Sequence, residues 1–310
     1  MRVLVTGGTG FVGSNLVREL IRLGNEVFVT GINSEQVLPE NVKNLGHDFA
    51  SIDWNSLGQI DVLFHQAAIN DTTLQDKDLM FKVNVEGSKK LFRTAVNHGC
   101  NRIVYASSTA AYGNGPAPYK EDQPLQPLNP YAESKKAVDE FAMQLAAEFP
   151  QSVIVGLRYC NVYGPGEGHK EKRASMIYQL AQQMLKENPK IFKFGQQKRD
   201  FIYVKDVVTA NLMAAEAKQS CIVNCGSGDA TSFNEIIKIL NDVLGTSRQP
   251  DYIDNPWGAA YQDHTQCDMN LAKEKIGFIP GFDIVKGIRD YFESGFLAKD
   301  DHRRVVTRKI

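Results

Sequence analysis

The sequence lacks a long apolar run, a surplus of charge of one sign and any pairing pattern among its cysteines. No apolar stretch approaches the roughly 18 residues of a membrane span, and the N-terminus lacks the apolar segment of a secretory signal. The formal net charge of -1 offers no basic field to hold nucleic acid or an anionic membrane. We therefore expect a cytoplasmic protein without a nucleic-acid or membrane partner, in which local groups hold any phosphate-bearing ligand.

The five cysteines form no CxxC pair, and the six histidines show no metal-ligand spacing. An odd number of cysteines without such a pattern is typical of free thiols in a reducing cytosol, so the sequence predicts no metal site. Its 310 residues, 43% hydrophobic and 23% charged, are typical of one large globular domain or of two closely joined ones.

Short apolar runs alternate with amphipathic stretches over the first 160 residues. The predicted strands lie at 3–5, 27–29, 61–65, 103–106 and 153–155, and the predicted helices between them span 11–23, 82–97 and 131–148. Strands that alternate with helices indicate an α/β fold, in which a parallel sheet is covered by helices on both faces.

After residue 163 the pattern changes, and a glycine-containing loop at 164–168 precedes three more predicted helices, at 175–187, 207–217 and 233–244. Ser232 and Glu235 form a capping-box pattern at the start of the last helix. The segment 251–267 has no clear periodicity, and we predict that it wraps a ligand or a domain edge.

The first predicted strand runs into a glycine turn and then a helix. Gly7, Gly10 and Gly13 form the pattern G-x-x-G-x-x-G, in which the first glycine makes the tight turn, the second lets the backbone approach a pyrophosphate and the third lets the helix pack closely. The helix N-terminus, which includes Phe11 and Val12, offers N–H groups and a positive dipole end to phosphates. In this context the pattern predicts a Rossmann-type dinucleotide site.

The second predicted strand should end in an acid if the adenosine ribose carries a free 2′-hydroxyl. Gly31 occupies that position, and no Arg or Lys stands nearby to pair with a 2′-phosphate. The cofactor is therefore NAD or NADP, and the sequence does not decide which. Asn33, just beyond the strand, is a further candidate contact. Asp53 is predicted to accept a hydrogen bond from the adenine amino group, the alternative being a surface turn residue.

Tyr131 and Lys135 form a Y-x-x-x-K pattern whose i, i+4 spacing puts both side chains on one helix face. Free tyrosine has a pKa near ~10, and a lysine ammonium and a cationic nicotinamide beside the phenol would both favour phenolate. Lys135 can also hydrogen-bond the nicotinamide ribose. Ser108 ends a predicted strand, at the edge where doubly wound folds bind ligands, and its hydroxyl can share the reacting proton with Tyr131.

Ordered motifs over about residues 1 to 230 resemble the extended short-chain dehydrogenase/reductases. They are TGGTGFVG, FHQAA, NVEGS, YASSTAAYG, PYAESK, RYCNVYGPGEGHK and RDFIYVKDV. The resemblance implies a catalytic trio of Ser108, Tyr131 and Lys135. It also implies cofactor contacts from Gly7, Gly10, Gly13, Asp53 and the Ala67-Ala68 loop, with Asn84 as a supporting residue. We expect a Rossmann domain over 1–160, with a return near 201–226, and a smaller C-terminal nucleotide-sugar-binding domain over 161–200 and 227–310.

The branch of the family follows from two further stretches. Thr109-Ala110-Ala111 follow Ser108 where dehydratases tend to carry an acid, which leaves epimerases and reductases. The second half is most similar to ADP-glyceromanno-heptose 6-epimerases, and that resemblance implies that Lys170 is a second acid/base; the alternative is a phosphate-pairing or solvated cation. It also implies substrate contacts from Asn161, His169, Arg199 and Tyr261, with Arg199 pairing the substrate diphosphate. The run Glu171-Lys172-Arg173 departs from the small residues of those epimerases.

The sequence thus predicts a nucleotide-sugar epimerase that works by transient oxidation, similar to ADP-heptose 6-epimerases or to UDP-hexose 4-epimerases, which share the first-half motifs. The alternatives are an NAD(P)H-dependent ketoreductase and a non-catalytic dinucleotide-binding protein. Relatives of this kind commonly pair through the helices near 82–97 and 131–148, so we expect a homo-oligomer.

Overall fold

The computed structural model describes residues 1–31, 38–256 and 262–298. Its strands are β1 Arg2–Thr6, β2 Glu26–Thr30, β3 Lys43–Asn44, β4 Val62–His65, β5 Arg102–Ser108, β6 Val153–Tyr159, β7 Asn161–Tyr163, β8 Lys190–Phe192, β9 Lys198–Tyr203, β10 Cys221–Cys225, β11 Ala230–Ser232 and β12 Asp251–Ile253. Its α-helices are α1 Phe11–Arg22, α2 Trp54–Leu57, α3 Lys77–Met80, α4 Gly87–Asn97, α5 Pro130–Glu148, α6 Met176–Met184, α7 Val204–Ala215, α8 Phe233–Leu244, α9 Asn270–Ile276 and α10 Ile284–Glu293.

Seven parallel strands form the central sheet in the order β10-β6-β5-β4-β1-β2-β3. The order reverses between β1 and β4, so a crevice opens there at the carboxyl ends of the strands, where doubly wound folds bind ligands. The predicted α/β fold with a doubly wound parallel sheet is confirmed. Because β10 lies beside β6, the sheet contains a strand from the second half of the chain. The predicted division into two domains stays a prediction.

Alternate residues of the strands enter two hydrophobic clusters, one on each face of the sheet. Val3 and Val5 pack with α1, α7 and α9 in one cluster, whereas Leu4 packs with α4 and α5 in the other. With both faces covered, the strands can be apolar throughout. A third cluster joins α6, α8 and α10 to β9 in the C-terminal part, where β11-β9-β7 and β12-β8 form two small sheets.

Local chemistry sets the helix ends. Asn129 caps α5 by accepting from the Ala132 N–H at 2.9 Å, and Pro130 begins the helix, where a missing N–H costs no hydrogen bond. The predicted capping box of Ser232 and Glu235 is confirmed at the start of α8. The helix predicted at 82–97 differs from the structure, because a π-helical segment, Phe81–Glu86, precedes α4. In the described part of the chain, no helix is both long and apolar enough to cross a bilayer.

Candidate active site

A cavity of about 580 Å³ opens at the carboxyl ends of the central strands. Its wall receives residues from the turn after β1, from the ends of β2, β5 and β6, and from the segment after β4. The predicted site residues that line it are Gly7, Gly10, Phe11, Val12, Gly13, Ala67, Ala68, Ser108, Tyr131, Lys135, Asn161, His169, Lys170 and Arg199. The fold therefore brings together most of the positions predicted from the sequence.

The glycine turn is too tight for side chains at two of its three glycines. Gly7 has a φ of 67°, and a Cβ atom there would lie 2.7 Å from the Ala67 N. A Cβ atom at Gly13 would collide with the carbonyl oxygen of Gly7. The first turn of α1 can therefore pack against the end of β1, which leaves its N–H groups at the cavity. This cradle fits the pyrophosphate of a dinucleotide.

Asn84 holds the segment after β4 without lining the cavity. Its side chain, 2% exposed, accepts from the Ile69 N–H at 2.8 Å and donates to the Ile69 carbonyl at 2.9 Å. It also donates to the Ser134 hydroxyl at 3.1 Å. Asn84 thus ties the Ala67-Ala68 loop to α5, in agreement with a supporting role.

The predicted catalytic trio converges on one point of the cavity wall. Ser108 ends β5, while Tyr131 and Lys135 lie on the first turns of α5. The Tyr131 and Ser108 side chains are hydrogen-bonded. Lys135 donates from Nζ to the Ala106 carbonyl at 2.7 Å, and its Nζ lies 5.8 Å from the centroid of the Tyr131 ring. This arrangement puts a phenol, a hydroxyl and an amine within reach of one ligand.

The electrostatics of the trio differ from the sequence-based expectation. Burial raises the pKa of Tyr131, and the hydrogen bond with Ser108 opposes that effect. Burial lowers the pKa of Lys135 to about 8, opposed by the charge of Asp139. Instead of pointing at the phenol, the lysine amine is held by the Ala106 carbonyl. Burial therefore has a larger effect on the phenol pKa than the lysine, and the predicted lowering by the lysine ammonium together with a cationic nicotinamide stays a prediction.

A buried polar network, missed by the sequence analysis, lies beneath Lys135. Asp139 accepts from the Tyr105 hydroxyl and from the Arg158 Nε, both at 2.9 Å. Arg158 also donates to the Tyr112 hydroxyl at 2.9 Å. An acid four residues after the lysine, on the buried face of the same helix, is the sequence feature that could have indicated this partner. These hydrogen bonds hold the Asp139 carboxylate and the Arg158 guanidinium in place below the lysine amine.

Lys170 enters the cavity from a 3₁₀ segment at Gly168–Arg173. Burial lowers its pKa, opposed by the charge of Glu167, and its Nζ lies 5.5 Å from the centroid of the Phe11 ring. Glu167 is fully buried and accepts from the Gly164 N–H at 3.0 Å and from the Ser175 hydroxyl at 3.0 Å. This carboxylate therefore anchors the segment that carries Lys170.

The other predicted substrate contacts are His169, which lies on the Gly168–Arg173 segment, and Asn161 and Arg199, which form the cavity wall far from the glycine turn. His169 donates from Nδ1 to the Gly166 carbonyl at 2.8 Å. The Asn161 amide donates to the Asp200 carbonyl at 2.8 Å, so part of its hydrogen-bonding capacity serves the fold. Arg199 donates to the Lys198 carbonyl at 2.9 Å. All three side chains line the cavity.

Three further residues line this end of the cavity and were not predicted: Tyr119, Gln262 and Thr265. Tyr119 belongs to a segment whose backbone pairs with the 266–268 strand-like stretch, its N–H donating to the Gln266 carbonyl at 2.7 Å. Gln262 and Thr265 lie within the segment predicted to wrap a ligand. Their contribution depends on long-range chain pairing, which local patterns do not report.

Besides Asn84, three predicted positions do not join the described wall. Asp53 is exposed and caps α2, its carboxylate accepting from the Asn55 N–H at 3.1 Å. An N-cap role satisfies this acid, in agreement with the alternative of a surface turn residue, and the adenine contact stays a prediction. Asn33 and Tyr261 lie outside the described residues.

Among the residues that the structure describes, one group of three side chains has metal-ligating atoms within 4.8 Å of one another: Cys160, Asp200 and Cys267. Both carboxylate oxygens of Asp200 are already used, since they accept from the N–H groups of Ser227, Gly228 and Cys267 at 2.7 to 3.1 Å. Asp200 therefore joins three backbone segments at the base of the substrate side. All five cysteines are unpaired.

The sequence and the fold have counterparts among known proteins. Residues 3–226 match the NAD dependent epimerase/dehydratase family. The chain is 35% identical to ADP-L-glycero-D-manno-heptose-6-epimerase of Brachyspira hyodysenteriae, with 94% of this chain and 96% of that protein covered.

Two solved structures are similar over nearly the whole chain. One is ADP-L-glycero-D-manno-heptose-6-epimerase of Helicobacter pylori, with a TM-score of 0.84, 36% identity, and coverage of 94% of this chain and 95% of that one. The other is UDP-N-acetylglucosamine 4-epimerase from Methanobrevibacter ruminantium in complex with UDP-N-acetylmuramic acid, with a TM-score of 0.86, 30% identity, and coverage of 95% and 98%.

Proposed function

Because the chain belongs to the NAD dependent epimerase/dehydratase family, we propose that it is a nucleotide-sugar epimerase working by transient oxidation with a bound nicotinamide cofactor. The family predicted from the ordered motifs is thereby confirmed. One observation carries the proposal: Tyr131, hydrogen-bonded to Ser108 and next to Lys135, lines the same cavity as the glycine turn after β1.

The residues of the trio have separate tasks. Tyr131 removes the proton from the substrate hydroxyl, and Ser108 keeps that oxygen hydrogen-bonded while the proton moves. When bound, the nicotinamide of NAD or NADP would supply reversible hydride transfer at the substrate carbon. Burial raises the pKa of Tyr131, so the phenol needs a nearby positive charge before it acts as a base. Lys135 holds the nicotinamide ribose.

Residues of the glycine turn, of the start of α1 and of the segment after β4 bind the cofactor. Phe11, Val12 and Gly10 offer the start of α1 to the pyrophosphate, while Ala67 and Ala68 contact the dinucleotide from the segment after β4. Support comes from their place in the cavity wall and from the two glycines that admit no side chain.

Lys170 is the second acid/base, acting on the opposite face of the substrate carbon from Tyr131. Burial lowers its pKa, which brings an amine toward the range in which it can exchange protons. The alternative role is to pair with a substrate phosphate. Lys170→Arg separates the two, because arginine keeps the charge but cannot exchange a proton near neutrality. We expect kcat to fall at least about 100-fold with little change in KM; unchanged kcat would assign the lysine to phosphate pairing.

The substrate is a nucleotide sugar held at the end of the cavity that contains Asn161, His169 and Arg199. The similar proteins are named for ADP-L-glycero-D-manno-heptose and for UDP-N-acetylglucosamine, so both nucleotides belong in the test. The protein is incubated with ADP-, UDP-, GDP- and CDP-sugars, and NMR follows the configuration of each sugar carbon. Inversion of one centre without change in the absorbance of reduced nicotinamide is expected; stoichiometric consumption of NAD(P)H would indicate a ketoreductase.

Tyr131→Phe tests the mechanism directly. It should abolish turnover while dinucleotide binding, measured by calorimetry, stays intact. Tyr252→Phe is the matched control, since Tyr252 is exposed and lies outside the described cavity wall. Turnover by Tyr131→Phe at the wild-type rate would contradict the assigned base.

Assembly and location complete the proposal. We propose a homo-oligomer joined through α4 and α5, and sedimentation velocity of the wild type measures its size. The five unpaired cysteines favour the reducing cytoplasm, which cell fractionation tests.

A further inference from the structure

The adenosine end of the cavity has no room for the usual acidic residue. Gly31 follows β2 at the position from which a carboxylate ordinarily binds the ribose 2′-hydroxyl. A Cβ atom at Gly31 would overlap the Thr9 hydroxyl, and Thr9 itself lines the cavity. An acid at this position would therefore require Thr9 to move.

His47 lies beside this position. It lines the cavity, and its Nδ1 is 2.9 Å from the carbonyl oxygen of Gly31. A carbonyl can only accept, so Nδ1 carries the proton, and in the neutral ring Nε2 is then a hydrogen-bond acceptor. Two backbone bonds hold the segment before His47 to the end of β2: Leu45 N–H to the Val29 carbonyl at 2.9 Å, and Gly31 N–H to the Gly46 carbonyl at 3.1 Å.

We propose that His47 replaces the missing acid, accepting the hydrogen bond of the adenosine ribose 2′-hydroxyl through Nε2 and thereby selecting NAD over NADP. This inference rests on the proposed function, because it needs a dinucleotide bound with its pyrophosphate at the glycine turn. His47 acts only on the cofactor's ribose and has no part in the chemistry at Tyr131.

The distribution of cations supports the selection. Among the cavity-lining residues that the structure describes, every Lys and Arg belongs to α5, to the 168–173 segment or to β9. None comes from the end of β2 or from 46–49, and the sequence 32–37 contains neither Lys nor Arg. A 2′-phosphate bound at this end therefore meets an acceptor nitrogen and no fixed cation, which disfavours it.

The test measures binding of NAD⁺ and NADP⁺ to the purified protein by calorimetry at pH 8.5. We expect the wild type to bind NAD⁺ at least about 10-fold more tightly than NADP⁺. His47→Ala should weaken NAD⁺ binding by about threefold to tenfold, as expected for one hydrogen bond, and leave NADP⁺ binding little changed. His47→Arg should strengthen NADP⁺ binding at least about 10-fold, because it supplies the missing cation.

His98→Ala is a matched control, because its Nδ1 also donates to a backbone carbonyl, that of Thr94 at 2.9 Å, and it lies outside the described cavity wall. It should leave both affinities unchanged. Two results would overturn the role of His47 while leaving the proposed function intact. One is wild-type binding of NADP⁺ as tight as that of NAD⁺, and the other is a ratio of NAD⁺ to NADP⁺ affinity in His47→Ala that equals the wild-type ratio. Failure of both NAD⁺ and NADP⁺ to bind would overturn the proposed function as well.

Discussion

Replacement of Lys135 by Met should make the protein more stable while it removes activity. Lys135 is 6% exposed, and burial lowers its pKa to about 8 from the ordinary 10.5. A lowered pKa means that the folded state disfavours the charged amine, so at pH 7 the fold bears a cost for keeping this lysine protonated. Methionine fills a similar volume without that charge.

The magnitude follows from the pKa. One pKa unit corresponds to about 1.4 kcal/mol, so the lowered value costs about 3 kcal/mol of unfolding free energy at pH 7. The substitution also removes the hydrogen bond from Nζ to the Ala106 carbonyl, which destabilises the variant by about 1 kcal/mol. The expected net gain is about 2 kcal/mol, which for a chain of 310 residues raises Tm by about 3 °C.

The pH dependence of the gain identifies its cause. Below about pH 8 the lysine is charged in both states, and the full cost is present. As the pH rises from 8 toward 10.5, the folded state loses the proton first, and the cost shrinks. Guanidinium unfolding without added dinucleotide at pH 7 and pH 9.5 should therefore show a smaller gain for Lys135→Met at the higher pH.

Lys136→Met is the matched control, because its amine lies on the outer side of the same helix, 3.9 Å from the Glu140 carboxylate, with 37% of the side chain exposed. It should change stability by less than about 0.5 kcal/mol. A Lys135→Met protein that is less stable than wild type at pH 7, or equally stabilised at both pH values, would refute the reasoning.

Three further predictions concern other positions. Burial lowers the pKa of His65 to about 3. The contribution of the neutral ring to the free energy of unfolding is therefore complete above about pH 6.5 and falls by about 1.4 kcal/mol per pH unit as the pH drops toward 3. Guanidinium unfolding should show a loss of free energy between pH 7 and pH 5 that is about 2 kcal/mol smaller in His65→Gln than in wild type. Gly13→Ala should weaken NAD⁺ binding at least about 100-fold in calorimetry, because its Cβ meets the Gly7 backbone at the phosphate cradle, whereas Gly281→Ala should not, and equal affinity in both would contradict this. Glu171 has a φ of 49°, which strains the backbone of a residue that carries a side chain. Glu171→Gly should therefore stabilise the protein by about 1 kcal/mol, measured as a Tm about 1 to 2 °C higher. A lower Tm would contradict strain in the backbone at this position.

The parts of the fold with strong local patterns could be predicted. Both ends of α8 were predicted at the residues where they occur, since a capping box begins the helix and Gly245, in the left-handed region, ends it. The short strands of the two small sheets, such as β7 and β8, were missed, because three residues are too few to show a period. Their existence depends on neighbours that lie far away in the chain.

The same division holds for the site. Gly7, Gly13, Tyr131 and Lys135 were found because their chemistry needs a fixed local spacing. Residues that reach the site through tertiary pairing, such as Tyr119 and Thr265 at the far wall, show no such spacing. Electrostatics also depends on the whole fold, since burial, not the neighbouring ammonium, dominates the pKa of Tyr131.

The cluster that covers one face of the central sheet also has a consequence for synthesis. It contains Val3 and Val5 of the first strand together with Ile276 and Phe278, so residues that leave the ribosome at very different times share one cluster. Because nascent chains emerge at a limited rate, β1 is synthesised long before the residues at 276–278 that help to cover this face. We therefore expect the apolar side of β1 to stay accessible to chaperones until those residues have been added.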